Sequence, residues 1–204
     1  METVKLFVFD IDLAIRHKDL LLKSLNEEQK NKMWRYKNEI DQMRSLASSY
    51  LINQLSKAPV LYNECGKPYF KDGPHFNISH SGRYIVMVTS SQEIGVDIEE
   101  NKKRDFSSLK RIFNEVEAKM ANEHQDFYYM WCAKESLIKC MGATVGAVKD
   151  VPSLPLNGLK TYKGIDYQCQ AFIYDNHIVS ITRRGNEQFV VKTVKIERLP
   201  FPMN

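Results

Sequence analysis

The order of helix-like and strand-like patterns along the 204 residues constrains the fold of this chain more than any single residue does. A β-rich run over Lys5–Asp12 opens the chain. A polar helix is predicted over Ser24–Tyr36, and a stripe of apolar residues predicts a second helix over Ile40–Leu55. Ser24 and Glu27 stand at the spacing of a capping box, which predicts a helix start there. Three short β-patterned runs then predict strands over His75–Ser79, Arg83–Thr89 and Ile94–Glu99.

The second half of the chain repeats this order of elements. Helical patterns over Phe106–Ala121 and Asp126–Met141 are followed by Gly142, a residue suited to a helix C-terminus. Four strand-like runs come next: Leu159–Tyr162, Tyr167–Tyr174, His177–Thr182 and Gln188–Glu197. We therefore predict an α+β fold with helices packed on antiparallel sheets. The repeated order also predicts two similar halves, residues 1–100 and 101–204, with a polar linker over Glu100–Arg104.

Composition and charge narrow the class of protein. Hydrophobic residues make up 43% and charged residues 26% of the chain, which excludes disordered, collagenous and coiled-coil proteins. Residues 1–100 carry 13 basic and 14 acidic side chains, whereas residues 101–204 carry 16 and 11. The basic second half indicates an acidic partner, either nucleic acid, an acidic protein or a phosphate-rich ligand, unless it is an ordinary solvated surface.

The sequence also predicts the compartment. The segment Met1–Asp10 does not resemble a secretory signal, and no run of about 18 apolar residues could span a membrane. The four cysteines show neither a Cys-x-x-Cys pair nor zinc-like spacing to histidines: Cys65, Cys132, Cys140 and Cys169. We therefore expect a protein of the reducing cytoplasm.

A strand with two acidic residues at alternate positions is the strongest local feature. Asp97 and Glu99 are two residues apart, so both carboxylates point to one face while Val96 and Ile98 point to the other. Carboxylates held together repel unless a cation neutralises them, and Mg²⁺ prefers one or two carboxylates together with substrate phosphates. The alternative is an ordinary amphipathic edge strand with its polar face in water.

A helical segment, Trp131–Lys139, supplies a further carboxylate. Glu135 and Lys139 are neighbours at the i, i+4 spacing. They could form a surface ion pair, or they could serve a site in which the lysine neutralises charge on a leaving group.

The run Phe76–Gly82 contains a Ser-His pair. Ser79 and His80 are adjacent, so in a strand they face opposite ways, and no Gly-x-Ser-x-Gly motif is present. A hydrolase is therefore excluded, whereas His80 could contact a phosphate or be satisfied by the turn. Four scattered basic residues could also contact phosphate, although most such residues are merely solvated: Lys32, Arg35, Arg44 and Lys67.

Taken together, these motifs resemble those of the Sfp-type 4′-phosphopantetheinyl transferases. The matching segments appear in one order and span Gly66 to Lys139: Gly66-Lys-Pro68, Phe76–Gly82, Gly95-Val-Asp-Ile-Glu99, Phe113 with Glu117, and Trp131-x-x-Lys-Glu-Ser-x-x-Lys139. The resemblance implies a monomer of two similar α+β halves related by a pseudo-two-fold axis, with coenzyme A in the cleft between them. It also implies Mg²⁺-dependent transfer of the phosphopantetheine arm to a serine of an apo carrier protein, releasing adenosine 3′,5′-bisphosphate, with neither nucleic acid nor membrane as a partner.

The resemblance assigns roles to particular residues. Asp97, Glu99 and Glu135 match Mg²⁺ ligands, and Mn²⁺ could replace the metal. Lys139 matches the residue that contacts the transferred phosphate. The remaining matches are coenzyme A contacts: Lys32, Arg44, Lys67, Ser79 and His80. The base that deprotonates the carrier serine could be Glu135 or a metal-bound water, and the roles of Glu117 and Lys134 stay open.

Two other functions remain possible on the sequence alone. A nucleic-acid-binding module would use the basic clusters Lys102–Arg104 and Arg183-Arg184, although no nucleic-acid-binding motif is present. An inactive relative would bind carrier proteins without modifying them. Because the carrier proteins implied by the resemblance are acidic, the basic second half is predicted to be their docking surface.

Overall fold

A computed structural model describes residues 1–103, 105–106, 112–121, 124–152 and 154–201 of the chain. Arg104 of the predicted linker, and part of the helix predicted over Phe106–Ala121, lie outside these residues. Up to residue 100 the elements are β1 (Glu2–Asp10), α1 (Ile11–Arg16), α2 (Lys18–Lys23), α3 (Glu27–Trp34), α4 (Glu39–Leu55), β2 (Leu61–Tyr62), β3 (Pro68–Tyr69), β4 (His75–Ser81), β5 (Tyr84–Ser90) and β6 (Ile94–Glu100). The later elements are α5 (Glu115–Met120), α6 (His124–Met141), a 3-10 helix (Val145–Lys149), β7 (Asn157–Tyr162), β8 (Ile165–Tyr174), β9 (His177–Arg184) and β10 (Phe189–Ile196).

Two four-stranded sheets form the centre of the molecule. The first has the strand order β10-β1-β5-β4, and the second has the order β6-β9-β8-β7. Neighbouring strands are antiparallel except for β1 and β10, which pair in parallel. The predicted α+β fold is confirmed, with this one parallel pair added. Each sheet contains strands from both predicted halves, residues 1–100 and 101–204. The division into two pseudo-symmetric halves stays a prediction.

Alternation of apolar residues places the two sheets in contact with each other. Along β1, Phe7 and Phe9 pack with helices α1–α4 on the outer face of the first sheet. Leu6 and Val8 point the other way, into a core shared with Val96 and other residues of the second sheet. Helix α6 covers the opposite face of the second sheet, so the layers run helices, sheet, sheet, helix.

The first helices differ from the sequence-based expectation. Two short helices, α1 and α2, follow β1 where none was predicted, and Asp10 caps α1 by accepting a hydrogen bond from the Asp12 backbone. The predicted capping box at Ser24 is wrong. The Ser24 backbone is itself helical, and its hydroxyl donates to the Leu21 carbonyl at the end of α2. Asn26 forms the capping box of α3 instead.

A membrane-spanning helix was not expected from the sequence. Among the helices formed by the described residues, none has both the length and the apolar character needed to cross a bilayer.

Candidate active site

Side chains from one edge strand of the first sheet bridge to the edge strand of the second. Three polar residues at alternate positions of β4 reach β6: Asn77, Ser79 and Ser81. Asn77 Oδ1 accepts a hydrogen bond from the Val96 backbone at 2.9 Å. Ser79 donates to Asp97 Oδ1, and Ser81 donates to Glu99 Oε2, both at 2.9 Å. The carboxylates of β6 are therefore oriented from the first sheet.

Glycine 95 allows helix α6 to lie directly against β6. A Cβ atom at this position would stand 2.1 Å from the Ser136 carbonyl oxygen and 2.3 Å from the Cys140 backbone nitrogen. The Ser136 hydroxyl also hydrogen-bonds to Ser180 at 3.0 Å and Thr182 at 2.7 Å on β9. These contacts fix the distance between α6 and the sheet.

Replacing Gly95 by alanine should therefore destabilise the protein by about 1 to 3 kcal/mol, because the new methyl group must push the helix away from the strand. Thermal unfolding followed by circular dichroism measures this loss. Gly146→Ala is the matched control, since a Cβ there would meet only Thr144 Oγ1 at 3.7 Å. A Gly95→Ala protein as stable as the control would contradict this account of the packing.

Lys139 lies beside the acidic pair. Its ammonium group donates to Asp97 Oδ1 at 2.6 Å and to Ser79 Oγ at 3.0 Å. Burial alone would lower the pKa of Lys139, but the Asp97 carboxylate outweighs burial and the pKa is raised. Lys139 is therefore a charged group within the site.

Glu135 is almost completely buried, with 4% of its surface exposed. Burial raises its pKa to about 7, with a further rise from Asp97 that Lys139 partly opposes. Glu135 Oε1 and Asp97 Oδ2 are buried, and neither has a hydrogen-bond partner among the described residues. Such oxygens are costly to bury unless something neutralises them, so they can serve as ligands for a hard cation.

The described residues contain no group of three or more His, Cys, Asp or Glu side chains arranged as a metal-binding cluster. The bond from Lys139 occupies one oxygen of Asp97, and the bond from Ser81 occupies one oxygen of Glu99. The donor chemistry suits Mg²⁺, but a bound cation would need local rearrangement of these side chains.

A cavity of about 690 Å³ adjoins these side chains. Its lining includes the acidic group and Lys139 together with several residues of the first half: Lys32, Tyr62, Gly66, Pro68, Ser79 and His80. Lys32 lies over the Tyr62 ring at 5.4 Å. The pKa of His80 is lowered, mainly because burial removes solvent from its ring. The positive charges of Arg44 and Lys139 lower it further. The cavity therefore combines buried carboxylates with basic groups.

Comparison with known proteins identifies the family. Residues 93–182, which include β6, α6 and most of β9, match the family described as the 4′-phosphopantetheinyl transferase superfamily. The chain is 32% identical over 185 residues to the 4′-phosphopantetheinyl transferase Sfp of Bacillus subtilis (strain 168), covering 82% of this chain and 80% of that protein. The chain belongs to this superfamily.

Two more distant relatives carry similar names. A putative 4′-phosphopantetheinyl transferase of Haemophilus influenzae is 31% identical over 119 residues, which is 53% of this chain and 48% of that protein. The L-aminoadipate-semialdehyde dehydrogenase-phosphopantetheinyl transferase of Homo sapiens is 29% identical over 103 residues, or 43% of this chain and 33% of that protein. The match to Sfp over 82% of this chain shows that the chain is a phosphopantetheinyl transferase of the Sfp type.

Two predicted coenzyme A contacts of this transferase are not among the described residues that line the cavity. Arg44 donates to Asp41 at 2.9 Å and to the Gly82 carbonyl at 2.7 Å, and its charge acts on His80. Lys67 donates to Glu93 and to a main-chain carbonyl of α6, and it lines a second cavity of about 520 Å³.

Lys134 is buried in the transferase, where its ammonium group links several elements. It is 1% exposed and forms a 2.8 Å ion pair with the buried Glu117. Its ammonium group also donates to the Val148 and Val151 carbonyls, at 3.2 Å and 3.0 Å. These bonds join α5, α6 and the 3-10 helix, so Lys134 supports the helix that carries Glu135.

Asn77 and Ser81 are site residues that the sequence did not predict. The alternation of polar residues with Phe76 and Ile78 along β4 is the signal that could have found them. The basic pair Arg183-Arg184 is not an exposed cluster, since Arg183 is 3% exposed and paired with Glu2 at 2.9 Å. This removes one support for a nucleic-acid-binding module.

Proposed function

We propose that this protein transfers the 4′-phosphopantetheine arm of coenzyme A to a serine of an apo carrier protein and releases adenosine 3′,5′-bisphosphate. The observation that carries the proposal is the meeting of Asp97, Glu135 and Lys139 at a cavity whose lining also holds Lys32 and His80. A polyanionic donor fits such a cavity because basic groups can hold its phosphates while the carboxylates hold a metal ion.

Asp97, Glu99 and Glu135 would hold Mg²⁺, and the unpartnered oxygens of Asp97 and Glu135 support this assignment. When bound, the ion would neutralise charge on the pyrophosphate of the donor. Mn²⁺ would be accepted as well, since oxygen ligands suit both metals.

The protein's own residues would position and neutralise the reacting groups. Negative charge spreads over the transferred phosphoryl group, so catalysis depends mainly on placement and charge. Lys139 would turn from Asp97 to the phosphate and assist the leaving group. Glu135, or a water molecule beside it, would accept the proton from the attacking serine.

Residues in the first half of the chain would bind the nucleotide part of coenzyme A. Lys32, His80 and Ser79 line the cavity and can reach phosphate or ribose groups. The ammonium group of Lys67 is already bonded to Glu93, so Lys67 would contribute through its main chain in the turn between β2 and β3. Arg44 would act through its charge beside His80.

The carrier protein would dock on the basic second half, with the enzyme acting as a cytoplasmic monomer. Lys102 is 65% exposed at its side chain and pairs with Glu100 at 2.7 Å. Lys102→Glu combined with Lys103→Glu should raise the KM for the carrier several-fold at low salt and leave the KM for coenzyme A unchanged, because exposed charges mainly steer encounter. Steady-state assays at two salt concentrations measure this, and an unchanged carrier KM would exclude this patch.

One assay tests the proposed reaction. The protein is mixed with coenzyme A and each of a panel of apo carrier proteins, either with Mg²⁺ or with a chelator. Mass spectrometry then measures the mass of each carrier. We expect the added arm only with Mg²⁺. Carrier binding without added mass would indicate an inactive relative, whereas salt-sensitive RNA binding without added mass would favour a nucleic-acid-binding module.

A further inference from the structure

The turn that precedes β3 is joined to the C-terminal end of α6 by the side chain of Asn63. Its amide nitrogen donates to the Gly142 carbonyl at 2.9 Å. Its amide oxygen accepts from the Cys65 and Lys67 backbones, at 3.0 Å and 2.8 Å. One side chain therefore closes the turn with its oxygen and ties it to the helix with its nitrogen.

Two further contacts show that the junction is closely fitted. The Lys67 ammonium group donates to the Cys140 carbonyl at 3.0 Å, a second bond from the turn to the end of α6. Gly142 has a positive φ of 68°, and a Cβ atom there would lie 2.6 Å from Asn63 Nδ2. Glycine thus ends the helix and leaves room for the amide.

The two joined segments form different parts of one cavity. Gly66 and Pro68 of the turn line it, and so do Glu135 and Lys139 of α6. Helix α6 is anchored independently by its packing on Gly95 and by the Ser136 hydroxyl. The turn is flanked only by strands of two residues, β2 and β3. The turn is therefore the part that would move if the junction were broken.

We propose that Asn63 is a positioning residue that fixes the turn wall of the cavity relative to Lys139 and thereby sets the affinity for the nucleotide donor. The inference rests on the proposed function, since it takes coenzyme A as the donor. Asn63 does not line this cavity, so it would affect donor binding only through the turn. The bond to Gly142, rather than closure of the turn, carries the effect.

Two variants separate the bond to the helix from closure of the turn. Asn63→Asp keeps an oxygen that can close the turn but cannot donate to the Gly142 carbonyl. Asn63→Ser keeps a short hydroxyl that can close the turn without adding charge. Both should bind coenzyme A about five- to tenfold more weakly than the wild type in titration calorimetry, as expected for loss of one bridging hydrogen bond.

Other readouts distinguish positioning from general damage. The KM for coenzyme A should rise by the same factor while kcat stays within about twofold, because α6 keeps its own anchors. Melting temperatures should fall by no more than about 2 to 4 °C, as expected for one lost hydrogen bond. Mn²⁺ binding should match the wild type. Wild-type affinity in both variants would overturn the proposal, as would a fall in kcat without a change in affinity. A wild-type protein that does not bind coenzyme A would instead refute the proposed function.

Discussion

Replacing Glu135 by glutamine should slow arm transfer by about two to three orders of magnitude while leaving the protein folded. Glutamine has nearly the shape of glutamate but lacks the charge that would hold a metal ion or accept a proton. Glu135 is buried beside Asp97 and lines the cavity, so its charge acts on groups that bind there. The measurement is the initial rate of carrier modification at saturating coenzyme A and Mg²⁺.

The same substitution should raise the stability of the metal-free protein. Burial and Asp97 raise the pKa of Glu135 in the folded protein from 4.5 to about 7, so folding favours the protonated form. Stability from this group is present at low pH and is lost as the pH rises from about 4.5 to 7. Glutamine does not ionise, so Glu135→Gln avoids this loss of stability. The melting temperature of the variant should therefore exceed that of the wild type at pH 8 in chelator.

An exposed glutamate provides the control. Glu197 is 74% exposed at its side chain and lies outside the cavity, so Glu197→Gln should leave both rate and melting temperature unchanged. If Glu135→Gln retained the wild-type rate, the assignment of Glu135 to the reacting groups would be wrong. If it lowered the melting temperature in chelator, the buried charge would not be the destabilising group described above.

Replacing Lys134 by methionine should destabilise the protein by about 3 to 5 kcal/mol. The substitution leaves the buried Glu117 carboxylate without its ammonium partner and takes a donor from the Val148 and Val151 carbonyls. Equilibrium unfolding in urea measures the loss. At this chain length, each kcal/mol corresponds to a fall in melting temperature of about 2 to 4 °C.

Two control variants show whether the buried charge causes the loss. Lys134→Met combined with Glu117→Leu removes both charges and should recover much of the stability, since a buried pair replaced by apolar groups is often close to neutral. Lys119 is exposed, so Lys119→Met should have little effect. A Lys134→Met protein within about 1 kcal/mol of the wild type would show that the pair does not hold α6 in place.

Short-range patterns were sufficient to predict much of the candidate site. The alternation in β6 predicts that Asp97 and Glu99 share a face, and the helical spacing in α6 predicts that Glu135 and Lys139 are neighbours. The resemblance of the motifs then predicts that these two elements meet. The structure adds the reason, because Gly95 allows α6 to lie against β6.

Long-range contacts explain what the sequence did not predict. The pairing of Lys67 with Glu93 joins residues 26 positions apart, and no local pattern indicates it. The parallel pairing of β10 with β1 likewise joins segments from the two ends of the chain, which no local pattern indicates. Helices α1 and α2 have six residues each, which is too short for a clear repeat of apolar positions.

We propose that Asp97, Glu99 and Glu135 form a divalent-cation site for the donor pyrophosphate. Electron paramagnetic resonance of Mn²⁺, titrated with protein in the presence of coenzyme A, measures this directly. We predict that the wild type and Glu197→Gln bind Mn²⁺ alike, whereas Asp97→Ala and Glu135→Gln lose more than about tenfold in affinity. Equal Mn²⁺ affinity in all four proteins would contradict the claim.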